Sequence, residues 1–381
     1  MRGPVPNEHF SGRVRTVASR LPIVAFLALG SCAMADNSKS GVGMRATVRT
    51  TVRCDRVASP HGSDRAKGTL RSPYLTLTHL AGSLRPGMVG CLRAGVYGDH
   101  STSHSIDHSG RPGRRITITA YPSEKVKVVG QVLIEGSYAT VSRLNIDGSN
   151  DLYSGHYGDP RCPTPSSASL DITGSNDIFE HNNYYQSVAR LRDNGIGVGF
   201  WGTGDNTIIR YNKIHDVGGC NNYNHFIYLA HGSNVRVYQN WMWNNRHGWG
   251  VQLYPGPTNA RIYSNVIDGA GSGFVISDEG TRTTTGNKVY HNVVVNSVGM
   301  TSQSGFHFSG QALVGAGPVA GSNNSFTSND SFKNPGGIGG QPNVRMSNNI
   351  KSPPQFVNSA ARNYRVKATS PLSSWGLWSG H

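Results

Sequence analysis

From residue 176 onward, apolar and polar positions alternate in short runs, and asparagines frame each run. Seven segments share the pattern: Asn176-Asp-Ile-Phe-Glu-His-Asn182, Asn206-Thr-Ile-Ile-Arg-Tyr-Asn212, Asn234-Val-Arg-Val-Tyr-Gln-Asn240, Asn259-Ala-Arg-Ile-Tyr-Ser-Asn265, Asn287-Lys-Val-Tyr-His-Asn292, Asn323-Asn-Ser-Phe-Thr-Ser-Asn329 and Asn343-Val-Arg-Met-Ser-Asn348. Counted from Asn182, the closing asparagine recurs after 30, 28, 25 and 27 residues. Period-2 alternation sends one side chain inward and the next outward. A single run of this kind cannot bury its inward face, whereas stacked coils form a continuous core and leave insertions outside as loops. Asparagine suits the bends because it tolerates left-handed backbone geometry and bonds nearby main chain. At equivalent positions of successive coils it also forms hydrogen-bonded ladders. A β-sandwich turns roughly every 8–12 residues and gives no reason for a motif at this longer step.

A second strand precedes each motif: Leu170-Asp171-Ile172, Ile196-Gly-Val198, Ile227-Tyr228-Leu229, Val251-Gln252-Leu253 and Phe274-Val-Ile276. Earlier coils show in Arg115-Ile-Thr-Ile-Thr119, Val126-Lys-Val-Val129 and Thr140-Val-Ser-Arg-Leu-Asn-Ile146. The expected fold is all-β, a right-handed parallel β-helix (solenoid). A solenoid end exposes apolar surface and strand edges, so its terminal units must differ. Tyr74-Leu75, Leu77, Leu80-Ala81 and Leu84 have helical spacing and predict a short N-terminal capping helix. The closing segment, ending near Trp375 and Trp378, is expected to cover the other end.

The N-terminus changes the setting. Arg13, Arg15 and Arg20 precede the apolar run Leu21–Gly30, and small residues follow at Ser31-Cys-Ala-Met-Ala35. That order is a secretory signal, and the run is shorter than the ~20 residues of a membrane span. Two cleavage sites fit, Ala33-Met-Ala35 and the lipobox-like Leu29-Gly-Ser-Cys32, and the second would leave a lipid anchor on Cys32. The expected organisation is a signal over 1–35, a linker over 36–53 and the β-helix over 54–376, secreted or held at the cell surface as a monomer. Beyond Cys32, four cysteines remain, an even number that suits disulfides in an exported chain. The pairings Cys54–Cys91 and Cys162–Cys220 are favoured because each flanks one recognisable segment. The formal charge is +15; residues 1–35 carry four Arg and one Glu, so the rest keeps 32 basic and 20 acidic residues, or +12. Such a chain attracts polyanions, and export makes acidic polysaccharide the expected partner rather than nucleic acid.

The chain resembles the pectate-lyase-like right-handed β-helix repeat proteins of bacteria beyond the repeat itself. Ala58-Ser-Pro-His-Gly-Ser-Asp64 with Gly68-Thr-Leu-Arg-Ser-Pro73 looks like the family's opening. Leu84-Arg-Pro-Gly87 with Leu92-Arg-Ala-Gly-Val-Tyr97 resembles its first coil, and Ile116-Thr-Ile-Thr-Ala-Tyr-Pro122 its next strand. Gln355-Phe-Val-Asn358, Tyr364-Arg-Val and Ser370-Pro-Leu372 resemble its closing coil. The resemblance covers residues 54–375. It implies the fold and a carbohydrate-active protein related to polysaccharide lyases; relatives also include hydrolases and epimerases.

If Ile227/Leu229, Val251/Leu253 and Phe274/Ile276 point inward, their neighbours form outward rows. One row holds Asp171, Gly197, Tyr228, Gln252 and Val275; a parallel row holds Thr173, Gly199, Ala230, Tyr254 and Ser277. Aromatic faces, amides and glycines suit a sugar chain, so Asp171, Gln252, Tyr254 and Trp249 are expected to bind substrate. The same coils concentrate His225, Tyr228, His231, Arg246 and His247. β-Elimination on a uronic acid needs a base for the C5 proton, charge neutralisation at the carboxylate and a proton donor. His225 or His247 is the expected base, Tyr228 the acid and Arg246 the carboxylate partner. Calcium could assist through Asp171, Asp216, Asp278 or Glu279, since hard cations prefer oxygen ligands. Glycoside hydrolysis needs two carboxylates roughly 5–10 Å apart. Asp171 and Asp278 lie several coils apart at about 4.8 Å each, which places hydrolysis second. A non-catalytic glycan-binding surface protein is the third reading.

Overall fold

The structure is a computed structural model that describes residues 53–152, 155–156, 163–164, 169–199, 202–219, 224–278, 282–301, 307–316, 321–340 and 343–380. The expected signal segment, Cys32, Cys162, Cys220 and Glu279 lie outside the described residues.

One coil shows how the repeat folds. Ile178–Glu180 lies on a first face, turns at His181-Asn182, and continues as Asn183–Tyr185 on a second face. A longer connection leads to Ile196–Val198 on a third face, and the chain then returns to the first face at Ile208–Arg210, directly beside Ile178–Glu180. Every strand on a face pairs parallel with its equivalents in the neighbouring coils. Among the described residues the first face forms an eleven-stranded parallel sheet running from Arg56–Ala58 to Val344–Ser347. The second and third faces merge into one fifteen-stranded sheet because Trp241–Leu253 and Val266–Ser277 pass from one to the other without a break.

The inward rows make the core. On the first face Val141, Phe179, Ile209, Val237, Ile262, Val289 and Phe326 follow one another and are fully buried. On the third face the expected inward pairs Ile227/Leu229, Val251/Leu253 and Phe274/Ile276 are all buried. Each such side chain contributes about 1.5–3 kcal/mol, but only because the coils above and below exclude water.

The two framing asparagines have different jobs. The opening residues Asn176, Asn206, Asn234, Asn259 and Asn323 adopt positive φ, between 55° and 63°. At the closing bend the residue before the asparagine carries the positive φ: His181, Tyr211, Gln239, Ser264, His291 and Ser328. The closing asparagine is buried and spends its amide on the next coil. Asn182 N bonds Oδ1 of Asn212 at 2.9 Å, and Asn212 N bonds Oδ1 of Asn240 at 3.0 Å. The ladder continues through Asn265, Asn292 and Asn329. Its last rung is Asn349 rather than the expected Asn348, which instead takes the left-handed bend.

The first coil is closed as expected. Thr76 caps the helix Leu77–Gly82, its hydroxyl accepting from His79 N at 3.1 Å, and Leu77, Leu80 and Ala81 are buried. Gly90 occupies the inward row there, and a Cβ on it would press on Leu80 and Leu84 at 3.1 Å. Cys54 and Cys91 are disulfide-bonded. The closing segment behaves differently from expectation. Tyr364, Leu372 and Trp378 pack on Trp241, Val266, Val293 and Val295, which belong to the second face's outward side. Those outward positions are apolar and need a cover, so the tail lies along the side of the solenoid.

Candidate functional site on the third face

Strand pairing aligns Leu133, Asp171, Gly197, Tyr228, Gln252, Val275 and Val314 as one outward row. The row is not uniformly open. Asp171 and Gly197 are buried at its early end. At its late end Val275 and Val314 are covered by the short hairpin Met300–Thr301/His307–Phe308, whose Met300 and Phe308 join Trp249 in an apolar cluster. Between these covers Tyr228, Gln252 and Tyr254 are half-buried and form a window.

Three of the expected site residues therefore sit inside the protein. Asp171 is wholly buried. Trp249 packs edge-on against Phe308, with ring centroids 4.9 Å apart. His225 is buried, its Nδ1 accepts the N–H of Trp249 at 3.3 Å, and its ring meets Tyr228 at 5.4 Å. Burial without a compensating charge pushes its pKa down to about 3. His225 is thus a buried, neutral imidazole with one nitrogen already accepting.

Arg246 and His247 are exposed at the corner where the second face becomes the third, beside a register shift between Asn245 and Trp249. Burial and the neighbouring Arg246 hold the His247 pKa below its ordinary value. His247 precedes Gln252 by five residues, roughly 16 Å of strand. The four residues expected to share the chemistry are thus split between interior, window and corner.

At the opposite edge of the window lies a group that sequence reasoning left unassembled. Arg282 is exposed, and its Nη1 donates to Nε2 of His231. His231 lies two residues beyond Leu229, which pairs with Leu253 on the next strand. Gly256 keeps the approach clear: a Cβ there would meet Arg282 at 3.3 Å and His231 Nδ1 at 3.7 Å. The sequence separation of 51 between His231 and Arg282 hid the pair, although the coil step would have brought the two segments within two coils of each other.

Among the described residues no group of three or more His, Cys, Asp or Glu converges as a metal site. Asp171 and the strand leading to Asp278 are four coils apart, roughly 19 Å. Asp171 and Asp278 are therefore too far apart to ligate one calcium ion together. Among the described residues no helix is long and apolar enough to cross a membrane.

Residues 130–313 match the family model described as right handed beta helix region. The chain is a right-handed parallel β-helix protein. Over 82 residues it is 35% identical to YwoF, an uncharacterized protein of Bacillus subtilis (strain 168), a match covering 22% of this chain and 17% of that one. The structure of pectate lyase Pel9A superposes with a TM-score of 0.58 at 14% identity, covering 84% of this β-helix chain and 91% of the lyase. A rhamnogalacturonan lyase gives a TM-score of 0.47 at 14% identity, covering 85% and 95%. At 14% identity the likeness to the pectate lyase is one of fold.

Proposed function

We propose that this β-helix protein is an exported, carbohydrate-active enzyme, a polysaccharide lyase that takes uronate-containing chains on its third face and cleaves them by β-elimination. One observation carries the reading: two exposed arginines, Arg246 and Arg282, stand at opposite edges of the window lined by Tyr228, Gln252 and Tyr254, each beside a histidine. Two cations spaced along a trough of hydroxyl and amide groups suit a chain bearing carboxylates at intervals. Export is supported by the N-terminal pattern and by the Cys54–Cys91 disulfide.

The chemistry is best served at the His231–Arg282 edge. A substrate carboxylate draws the Arg282 guanidinium away from His231 and frees Nε2 as the base. Ion pairing at the carboxylate stabilises the charge that develops as the C5 proton leaves. His231 takes that proton, the C4–O bond breaks, a C4–C5 double bond forms, and the Tyr254 hydroxyl protonates the departing oxygen. Tyr228 and Gln252 hold the adjoining sugars, and Arg246 with His247 anchors a carboxylate several sugars away.

Polygalacturonate, alginate and chondroitin should be incubated separately with the protein. The expected result is ultraviolet absorbance from an unsaturated uronate on at least one of them, lost in Arg282→Ala. New reducing ends without that absorbance would establish hydrolysis instead, and binding without cleavage would establish a glycan-binding surface protein.

A further inference from the structure

The first face carries a second feature, remote from the window. Its outward side has two rows. One reads Ile208, Arg236, Arg261, Lys288, Ser325, Arg345 in successive coils. The other reads Glu180, Arg210, Tyr238, Tyr263, Tyr290, Thr327.

The tyrosines stack on one another. Tyr238 and Tyr263 are 4.8 Å apart at an interplanar angle of 4°, and Tyr263 and Tyr290 are 5.1 Å apart at 8°. Stacking uses their faces: Tyr238 is buried with its hydroxyl accepting from Arg210 Nη1 at 2.8 Å, and Tyr263 and Tyr290 are half-buried. Burial and the neighbouring tyrosines push the Tyr263 pKa up to about 12, which keeps that hydroxyl a neutral donor.

The basic row is harder to explain by folding alone. Like charges directly opposite one another destabilise a sheet. Arg236, Arg261 and Lys288 are nonetheless consecutive, about 4.8 Å apart. Arg261 is partly occupied, its Nη1 bonding carbonyls of Asn259, Ala260 and Gly286. Among the described residues no side-chain hydrogen bond or ion pair holds Arg236, Lys288 or Arg345, and all three are exposed. The single acidic side chain in the two rows, Glu180, is already taken by Arg210. Where the tyrosines end, Thr327 and Ser347 leave a depression of about 390 Å³ flanked by Lys288 and Arg345.

We propose that this first-face track is a non-catalytic binding site for an acidic polysaccharide lying along the solenoid axis. Its carboxylates meet Arg236, Arg261 and Lys288 in three successive coils and Arg345 two coils further on, and its hydroxyls meet the Tyr263 and Tyr290 edges and the Thr327/Ser347 depression. The site shares a ligand class with the proposed function and nothing else, because it lies on a different face and needs no turnover. It would hold the enzyme on a polymeric substrate while the third face works.

The test is the affinity of the full chain for polygalacturonate at low and high salt, with duplex DNA and dextran as comparison ligands. The Arg236→Gln/Lys288→Gln/Arg345→Gln variant should bind polygalacturonate at least tenfold more weakly at low salt, with a shallower salt dependence. Its unfolding midpoint should match or exceed the parent's, since the changes relieve repulsion. Lys67→Gln, an exposed lysine of the entry segment outside both sites, should leave this affinity unchanged. Undiminished binding by the triple variant would overturn the proposal, as would equal affinity for duplex DNA. Because the readout is binding alone, absence of lyase activity leaves it standing.

Discussion

Asn240 donates twice to Oδ1 of Asn265, from its main-chain N–H at 3.0 Å and from its side-chain amide at 2.9 Å. The same double bond joins Asn265 to Asn292 and Asn292 to Asn329. Each rung thus satisfies a buried donor of the preceding coil while its own amide is satisfied by the next.

Asn265→Ala should destabilise the protein by about 3 kcal/mol or more, because it strands the main-chain N–H of Asn240 and removes the donor to the buried Val237 carbonyl. Asn349→Ala, at the half-buried end of the ladder, should lose about 1 kcal/mol. Chemical denaturation of the two variants checks the ranking; equal losses would mean that the rungs do not act through burial.

The Cys54–Cys91 bridge closes 37 residues of sequence around the capping helix. The chain-entropy account assigns such a loop about 4 kcal/mol. Cys91→Ser should lower the thermal midpoint and expose the cap first, read as loss of hydrogen-exchange protection at Leu77–Gly82 before the middle coils.

Asp177 is buried, with Oδ1 accepting Ala139 N at 2.7 Å and Oδ2 without a hydrogen-bond partner among the described residues. Desolvation raises its pKa to about 7, whereas an unfolded aspartate titrates near about 3.9. Between those values the folded chain holds a proton that the unfolded chain has released. Stability therefore falls as pH rises through that window. Asp177→Asn should flatten the slope and gain about 1 kcal/mol or more relative to wild type at pH above 7. Parallel pH–stability curves for the two proteins would contradict this.

His231→Ala should reduce kcat by about a hundredfold or more, the usual worth of a general base. His247→Ala should mainly raise KM, because the corner anchors a distant sugar. A kcat loss at His247 with none at His231 would move the chemistry to the corner.

The coil step, the inward pairs and the outward rows of the third face were legible because strand alternation and a near-constant repeat are local properties of the chain. Tyr228 level with Gln252 followed directly from counting residues. What covers each outward position was not legible. Asp171 and Val275 occupy the same row as Tyr228, yet one is buried and the other lies under Met300 and Phe308. Trp249 has the aromatic character of a sugar platform and became part of that cover. The apolar outward residues Trp241, Val266 and Val293 were a readable sign that something must lie on the second face, though not that residues 364–378 would do so.

By itself the sequence determined that this chain winds into stacked coils, because each asparagine-framed run has an apolar face that only an identical neighbour can bury. Only the tertiary structure decided which residues remain in reach of a ligand. Exposure depends on where loops from distant coils come to rest, and no periodicity records that.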